Sequence, residues 1–327
     1  SIYRGPGGKG SALRSLFEAA YRLKVKACAM VDSDLRSITP DWVKYLIDPV
    51  LEKGYQFVAP VYVRHKWDGT ITNNIVYNLT RALYGKRIRQ PIGGDFALSR
   101  DVAKYYIDQD VWDTDVARFG IDIWMTVSAV TRGFRICQSN LGVKIHDAKD
   151  PGQHLGPMFR QVLSALFSSM EANEAFWKQI KGSKPLEIFG FQEKFEPEPV
   201  TVNLDGLIEL FRTGYAQFSP LWKDILSEPS FEEISKAAKM DSKRFHLPTE
   251  AWVRILYELA ATFHAWTINR RKLLDLMTPL YFARVASFVL ESWDMSSDEA
   301  EELVEEQAVK FEEQKDYLIH LWDEKSA

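Results

Sequence analysis

Apolar positions in the first 180 residues switch between helical and strand periods. Leu13, Leu16, Phe17 and Ala20 recur at helical spacing and predict a helix over 11–23. Residues 26–31 (KACAMV) form a short apolar run that ends in Asp32-Ser33-Asp34, as a buried strand delivering polar residues at its carboxyl end would. Thr39 as N-cap, Pro40 at the first helical position and Asp41 in the first turn open a second helix. Val43, Leu46, Ile47 and Val50 mark its apolar face, and Gly54 stops it. Residues 55–63 (YQFVAPVYV) read as a strand, 71–84 as a helix, 89–95 as a loop and 96–98 as a short strand. A helix over 121–131 stops at Gly133, and 134–145 read as strand. This βαβ alternation predicts an α/β fold with a mostly parallel sheet and flanking helices.

The pattern changes after residue 185. Lys184-Pro185 and Glu196-Pro197-Glu198-Pro199 punctuate a linker over 185–202. From Asn203 nearly every segment is helical, so the chain divides into 1–184, the linker, and an all-α domain over 203–327. Pro248 and Glu250 open a helix, 271–293 form another with a kink expected at Pro279, and Ser296 with Glu299 forms a capping box for a last helix reaching Trp322. The paired acids of that helix, including Glu305-Glu306 and Glu312-Glu313, read as a solvated face. Trp252, Trp266, Trp293 and Trp322 predict either a core or an exposed aromatic row that mediates self-association into a homo-oligomer.

Composition narrows the function classes. The 327 residues are 46% hydrophobic and 26% charged, enough for a real core. A net charge of −4 argues against binding nucleic acid over the whole surface. No apolar run reaches the ~18 residues of a membrane span, and the start SIYRGPGGKG has no apolar signal core. Cys28 and Cys137 both sit in apolar, strand-like contexts and read as buried thiols of a reducing compartment, so a cytoplasmic location is expected. Two cysteines exclude a disulfide scaffold and a cysteine-based zinc site.

Five segments carry candidate chemistry. Asp32 and Asp34 at a strand end could hold a divalent cation, or serve as a turn-and-cap pair. Gly5 to Ser11, with Lys9, precede a helix and could cradle a phosphate, or form a flexible start. His146 is either a surface or core residue or, with Asp34, part of a mixed oxygen and nitrogen site suited to Mg2+ or Mn2+. Gly93 and Gly94 before Asp95 allow backbone to approach a small polar ligand. Asp122 could accept from sugar hydroxyls, or answer the dipole of its own helix.

Taken in order, GKGSALRS, AMVDSDLR, DGTITNNI, RQPIGGDFALSR, FGIDIWMT and NLGVKIHD resemble the metal-dependent retaining glycosyltransferases of GT-A fold. Within these the chain is most similar to the glucosyl-3-phosphoglycerate, glucosylglycerate and mannosylglycerate synthases, over about residues 4–170. The resemblance implies that Asp34 and His146 hold Mg2+ or Mn2+, with Asp32 beside the donor diphosphate. It implies that Lys9 touches the donor nucleotide, a UDP- or GDP-hexose. Gln90 to Asp95 would line the donor sugar, Asp122 hold its hydroxyls, and Gly69 and Thr72 grip the acceptor carboxylate or phosphate. Asp95 is the one carboxylate offered as a nucleophile; otherwise the acceptor hydroxyl attacks from the leaving-group face.

Departures from the family pattern matter too. Three arginine or asparagine positions of phosphoglycerate-using members are Thr70, Lys144 and Ala148 here. With Lys144 as the one remaining cation, D-glycerate is expected to be preferred over 3-phosphoglycerate. The chain starts after the family's nucleotide-binding first strand, so the sheet is expected to lack its N-terminal strands. A non-catalytic scaffold with an inert GT-A remnant, and a metal-dependent nucleotidyltransferase or phosphatase using the same aspartates, remain the alternatives.

Overall fold

A computed structural model describes residues 5–145, 156–192 and 197–326. The chain forms two compact units. The first comprises Ser1–His65, Tyr84–Ala148 and Gln161–Pro199, the second Lys66–Leu83, Lys149–Arg160 and Val200–Ala327. A division by chain order at 184–203 therefore misplaces the segment 66–83. Its Tyr77 packs with Phe288, Val304 and Ala308 of the C-terminal helices, which draws the segment into the helical unit.

The first unit is built on one five-stranded sheet. Its strands are β1 (Ala27–Met30), β2 (Phe57–Val63), β3 (Phe96–Ser99), β4 (Ile136–Val143) and β5 (Ile188–Gly190), in the order β1-β3-β2-β4-β5. β2 runs parallel to β4, and β4 to β5, whereas β3 is antiparallel to both β1 and β2. The sheet is thus mixed, with four strands in one direction and β3 reversed. The reversal has a consequence for chemistry. β3 begins where its neighbours end, so with Met30 opposite Phe96 the residues before Phe96 meet those after Met30.

Helix α1 (Lys9–Arg22), α2 (Pro40–Lys53), α3 (Tyr77–Tyr84), α4 (Arg100–Ile107) and α5 (Ile121–Thr131) follow in order. In α2, Pro40 occupies the first turn and Gly54 ends the helix at φ 70°, a left-handed conformation that glycine adopts without a Cβ clash. Thr39 is extended at the N-cap, but its side chain makes no capping bond. α2 buries Trp42, Leu46 and Val50 against Val58, Tyr62, Ala97, Cys137 and Leu141. Val43, expected on that face, is half exposed instead. The larger ring at Trp42 takes the core position, and the stripe is rotated by one residue. α5 is buried along its whole length from Ile121 to Val130. Cys28 is half-buried and Cys137 buried, and both are free thiols.

After α6 (Gly156–Ala172) and α7 (Glu174–Trp177) come the helices of the second unit. These are α8 (Leu204–Ile225), α9 (Glu228–Lys239), α10 (Thr249–Ala265), α11 (Arg270–Glu291), α12 (Ser297–Glu313) and α13 (Lys315–Ser326). No strand occurs among the described residues from 200 onward. Ser296 and Glu299 form a reciprocal capping box at the start of α12. The helix expected to run unbroken to Trp322 is interrupted at Gln314.

Three expectations about surfaces are corrected. Trp252 and Trp322 are fully buried, and Trp322 stacks on His264 with centroids 4.1 Å apart, so these two rings are core rather than an exposed row. Of the four tryptophans, Trp293 is the well-exposed one and Trp266 is half-buried. α11 is long and apolar enough to cross a membrane by length and composition, contrary to the sequence reading, yet 83% of its apolar stretch is buried inside the protein. It also carries the paired charges Arg284 and Glu291, which marks it as a core helix. The acids of α12 are likewise not all solvated. Glu305 and Glu312 bind the buried Arg81 guanidinium at 2.5 and 2.6 Å.

Candidate functional site

The carboxyl ends of β1 and β4 and the start of β3 bring together a cluster of five charged side chains. Lys9, the first residue of α1, places its ammonium 2.9 Å from Asp32 Oδ1 and 2.8 Å from Asp122 Oδ2. Lys144, just past β4, lies 3.0 Å from Asp32 Oδ2 and 2.9 Å from Asp95 Oδ2. Asp32 is therefore bracketed by an ammonium on each oxygen. Two ammonium groups face three carboxylates, which leaves one formal negative charge when all are ionised.

Asp95 is fully buried and its oxygens are committed. Oδ1 accepts from the Asp32 backbone N–H at 2.8 Å, and Oδ2 accepts from Lys144 and the Tyr62 hydroxyl. The Tyr62 hydroxyl also lies 3.1 Å from the Gly93 carbonyl, to which Lys144 donates at 2.7 Å. The Lys144 ammonium sits 4.8 Å from the centre of the Tyr62 ring, and the Arg64 guanidinium lies 5.0 Å from it. The turn before β3 is thereby fastened to β2 and β4. Thr126 of α5 completes the fastening by donating to the Pro91 carbonyl at 2.8 Å.

Two glycines are required by close approach. Gly94 has φ 86°, and a Cβ there would lie 2.0 Å from Asp32 Oδ2. Gly10 donates to the Arg118 carbonyl at 3.2 Å, and a Cβ there would lie 1.9 Å from the Val116 carbonyl oxygen. The glycine-rich start thus packs on the backbone of 116–118. That contact fixes α1 and aims Lys9 at Asp32 and Asp122.

Burial and pairing set the protonation states. Burial alone would raise the Asp32 carboxyl, but Lys9 and Lys144 outweigh it and hold the group at about 2. Burial would lower the Lys9 ammonium, but Asp122 and Asp32 raise it. Asp122 is raised, because burial outweighs the Lys9 attraction and Asp32 adds repulsion. Tyr62 is raised well above its ordinary value by burial, then by the Asp95 charge, so it acts as a neutral donor.

One atom in this network is left over. Asp122 Oδ1 is buried and has no hydrogen-bond partner among the described residues. An unsatisfied buried acceptor costs about 1–3 kcal/mol. A hydroxyl-bearing ligand entering beside Lys9 would supply the missing donor.

No family model matches the chain, and no curated protein does. Solved structures do match. The chain is similar to glucosyl-3-phosphoglycerate synthases. The Mycobacterium tuberculosis enzyme in complex with phosphoglyceric acid is 28% identical, with a TM-score of 0.42 over 51% of this chain and 56% of that one. A structure of the same enzyme with Mn2+, uridine-diphosphate-glucose and glycerol 3-phosphate is 27% identical, with a TM-score of 0.40 over 51% and 56%. Mannosyl-3-phosphoglycerate synthase from Rubrobacter xylanophilus is 20% identical, with a TM-score of 0.37 over 53% and 54%. The chain spans little more than half the length of these structures.

The residues singled out from sequence fall into three groups. Lys9, Asp32, Gly93, Gly94, Asp95 and Asp122 come together in one cluster. Lys144 joins them, whereas the sequence placed it with the acceptor residues. Asp34 is exposed on the turn after β1, and His146 lies outside the described residues. Among the described residues no three histidine, cysteine, aspartate or glutamate side chains converge as a metal cluster. Both oxygens of Asp32 are occupied by ammonium groups. Gly69 and Thr72 belong to the second unit. Gly69 has φ 69° and its carbonyl accepts from Asn73 N–H at 3.0 Å, while Thr72 is buried at the start of a π-helical turn, Thr72–Val76. Tyr62 was not singled out. Its place at the end of the YQFVAPVYV strand was the available signal, but its partners come from a loop 31 residues later.

Proposed function

We propose that the chain is a metal-assisted hexosyltransferase that moves a sugar from a nucleotide donor, UDP- or GDP-hexose, to the hydroxyl of D-glycerate or a phosphorylated relative. The observation that carries the proposal is the buried Asp122 Oδ1 beside Lys9, without a partner among the described residues, inside a cluster assembled from the four motifs GKG, DSD, QPIGGD and GID. A sugar hydroxyl donates to Oδ1 and so removes the cost of the orphaned acceptor.

A divalent cation, Mg2+ or Mn2+, fits an oxygen ligand such as Asp34 on an exposed turn, with His146 as its second protein ligand. When bound it would offset charge on the leaving diphosphate. The chain's own residues do the rest. Lys9 holds Asp32 ionised, bonds Asp122 and supplies positive charge where the leaving group develops negative charge. Asp95, with both oxygens already bonded on its buried side, is a poor nucleophile and serves instead to fix the Gly93-Gly94 turn under the sugar. In attack from the leaving-group face the acceptor oxygen bonds to the anomeric carbon as the bond from that carbon to the diphosphate oxygen breaks, the hydroxyl proton departs on that phosphate oxygen, and retention needs no covalent sugar intermediate.

The acceptor carboxylate is held at the Gly69–Thr72 turn. Thr70 and Lys144 supply no contact to an acceptor phosphate in this reading. Thr70 Oγ1 is buried against the Tyr281 hydroxyl at 2.6 Å, and Lys144 is spent on Asp32, Asp95 and Gly93. D-glycerate is therefore the favoured acceptor. The test is incubation with UDP- and GDP-hexoses, Mn2+ and D-glycerate, followed by mass spectrometry. A hexosylglycerate supports the proposal. A nucleotidylated product, or free sugar alone, contradicts it.

A further inference from the structure

The turn that this reading assigns to the acceptor has an unusual backbone. Residues Thr72–Val76 form a π-helical turn, in which the Tyr77 N–H reaches back to the Thr72 carbonyl. Such turns are rare and recur at functional sites. All five of its residues are buried. Local side chains take up part of the backbone that the wider ring frees: Asn78 Nδ2 donates to the Asn73 carbonyl and Asn74 Nδ2 to the Thr70 carbonyl, each at 3.0 Å.

Side chains from three C-terminal helices grip it by hydrogen bonds. Gln307 Nε2 of α12 donates to the Asn73 carbonyl at 2.8 Å. Trp252 Nε1 of α10 donates to the Asn74 carbonyl at 2.8 Å. Arg284 Nε of α11 lies 3.3 Å from Asn74 Oδ1, and the Tyr281 hydroxyl, one turn earlier on α11, pairs with Thr70 Oγ1. Arg284 is wholly buried. It is fixed by both oxygens of Glu291 at 2.9 and 2.8 Å, by the Leu247 carbonyl at 3.0 Å and by Gln307 Oε1 at 3.0 Å. A buried guanidinium, carboxylate and amide are no better for stability than apolar side chains of the same volume. What they supply is direction. Gln307 and Trp252 each fix a backbone oxygen of the turn, and Arg284 and Tyr281 fix the side chains of Asn74 and Thr70.

We infer that Tyr281, Trp252 and Gln307 are positioning residues for the acceptor. They hold the Gly69–Val76 backbone, with its π-helical turn at Thr72–Val76, in place and thereby set acceptor affinity from helices some 180 to 230 residues along the chain. The inference rests on the reading of Gly69 and Thr72 as the acceptor turn. On this view the C-terminal helices are part of the substrate-binding apparatus rather than a separate association module.

The test uses the full chain and two readouts. Tyr281→Phe removes one hydroxyl from a buried ring and keeps its packing on Phe159. It should raise KM for D-glycerate about tenfold, the equivalent of about 1.4 kcal/mol, with kcat and the donor KM within about twofold. Thr70→Val should do the same, and the double variant should be no worse than either single one, because both remove the same bond. Thr70→Ser, which keeps the hydroxyl, should restore the normal KM. Amide hydrogen exchange should quicken in residues 69–78 of Tyr281→Phe and of Gln307→Met, but not across α10 as a whole. Unchanged exchange in 69–78 overturns the inference, as does a fall in kcat and melting temperature with acceptor KM unchanged. If the unaltered chain transfers no sugar to glycerate while exchange in 69–78 responds as stated, the functional reading fails and the positioning of the turn stands.

Discussion

Lys144 closes a bridge between Asp32 and Asp95, with its ammonium 3.0 Å from the first carboxylate and 2.9 Å from the second. The lysine and Asp95 are almost completely shielded from water, at 3% and 0% side-chain exposure. Removing one partner of such a pair leaves the other charge buried and uncompensated, at a cost of about 3–5 kcal/mol. Lys144→Met should therefore lower unfolding stability by about that amount, measured by denaturant titration. Lys144→Arg should not rescue it, because a planar fork does not fit a site made for a compact ammonium. Near-normal stability of Lys144→Met would show that the bridge is incidental.

Asp122 links Lys9 to the proposed sugar. Asp122→Ala removes both the 2.8 Å contact to Lys9 and the free Oδ1 acceptor. The expected loss in kcat/KM for the nucleotide sugar is about 10–100-fold, from one or two contacts of about 1.4 kcal/mol each. Steady-state kinetics at saturating acceptor measure it. Acceptor KM should stay unchanged.

Gly94 is the most constrained position of the QPIGGD turn. Gly94→Ala must carry a side chain at φ 86° and meet Asp32 Oδ2 at 2.0 Å. The left-handed backbone alone costs about 1–2 kcal/mol, and the clash moves Asp32 off Lys9 or Lys144. Thermal melting and donor titration should both worsen. A variant that melts normally and binds donor normally would refute the placement of this turn.

Glu291 makes the helical unit sensitive to acid. Burial works to raise its carboxyl, but Arg284 first, then hydrogen bonds from His246, Arg284 and Ser287, hold it at about 2 against an ordinary 4.5. A depressed carboxyl contributes stability that is complete above its unfolded value and is lost as pH falls through the folded one. The contribution, on the order of 3 kcal/mol, should be present at pH 6 and disappear between about pH 4.5 and 2. Asp32 acts in the same direction, so the comparison is with Arg284→Met/Glu291→Leu. That double variant should lose stability less steeply over this window when melting is followed against pH.

Local signals were legible in the sequence, and long-range ones were not. Pro40 and Gly54 frame α2, and Ser296 with Glu299 caps α12, because each uses neighbours within one turn. The motif residues Lys9, Asp32, Asp95 and Asp122 were also legible one by one. Their meeting depends on β3 running backwards into the sheet, which no periodicity reports. The same reversal brings Lys144 and Tyr62 to Asp95, which no local pattern announces. The 66–83 segment reads as one more helix of the first domain until Arg81 is seen to be claimed by Glu305 and Glu312, some 230 residues away. Trp252 and Trp322 look alike with Trp293 in sequence, and only packing separates the buried rings from the exposed one.

The most direct test of the central claim is proton NMR of the reaction of this chain with an α-linked nucleotide hexose, Mn2+ and D-glycerate, read at the anomeric proton. The account predicts a new hexosylglycerate signal that keeps the donor's anomeric configuration, and its loss in Asp122→Ala. An inverted product, a nucleotidyl product, or no glycerate adduct from any UDP- or GDP-hexose would contradict it.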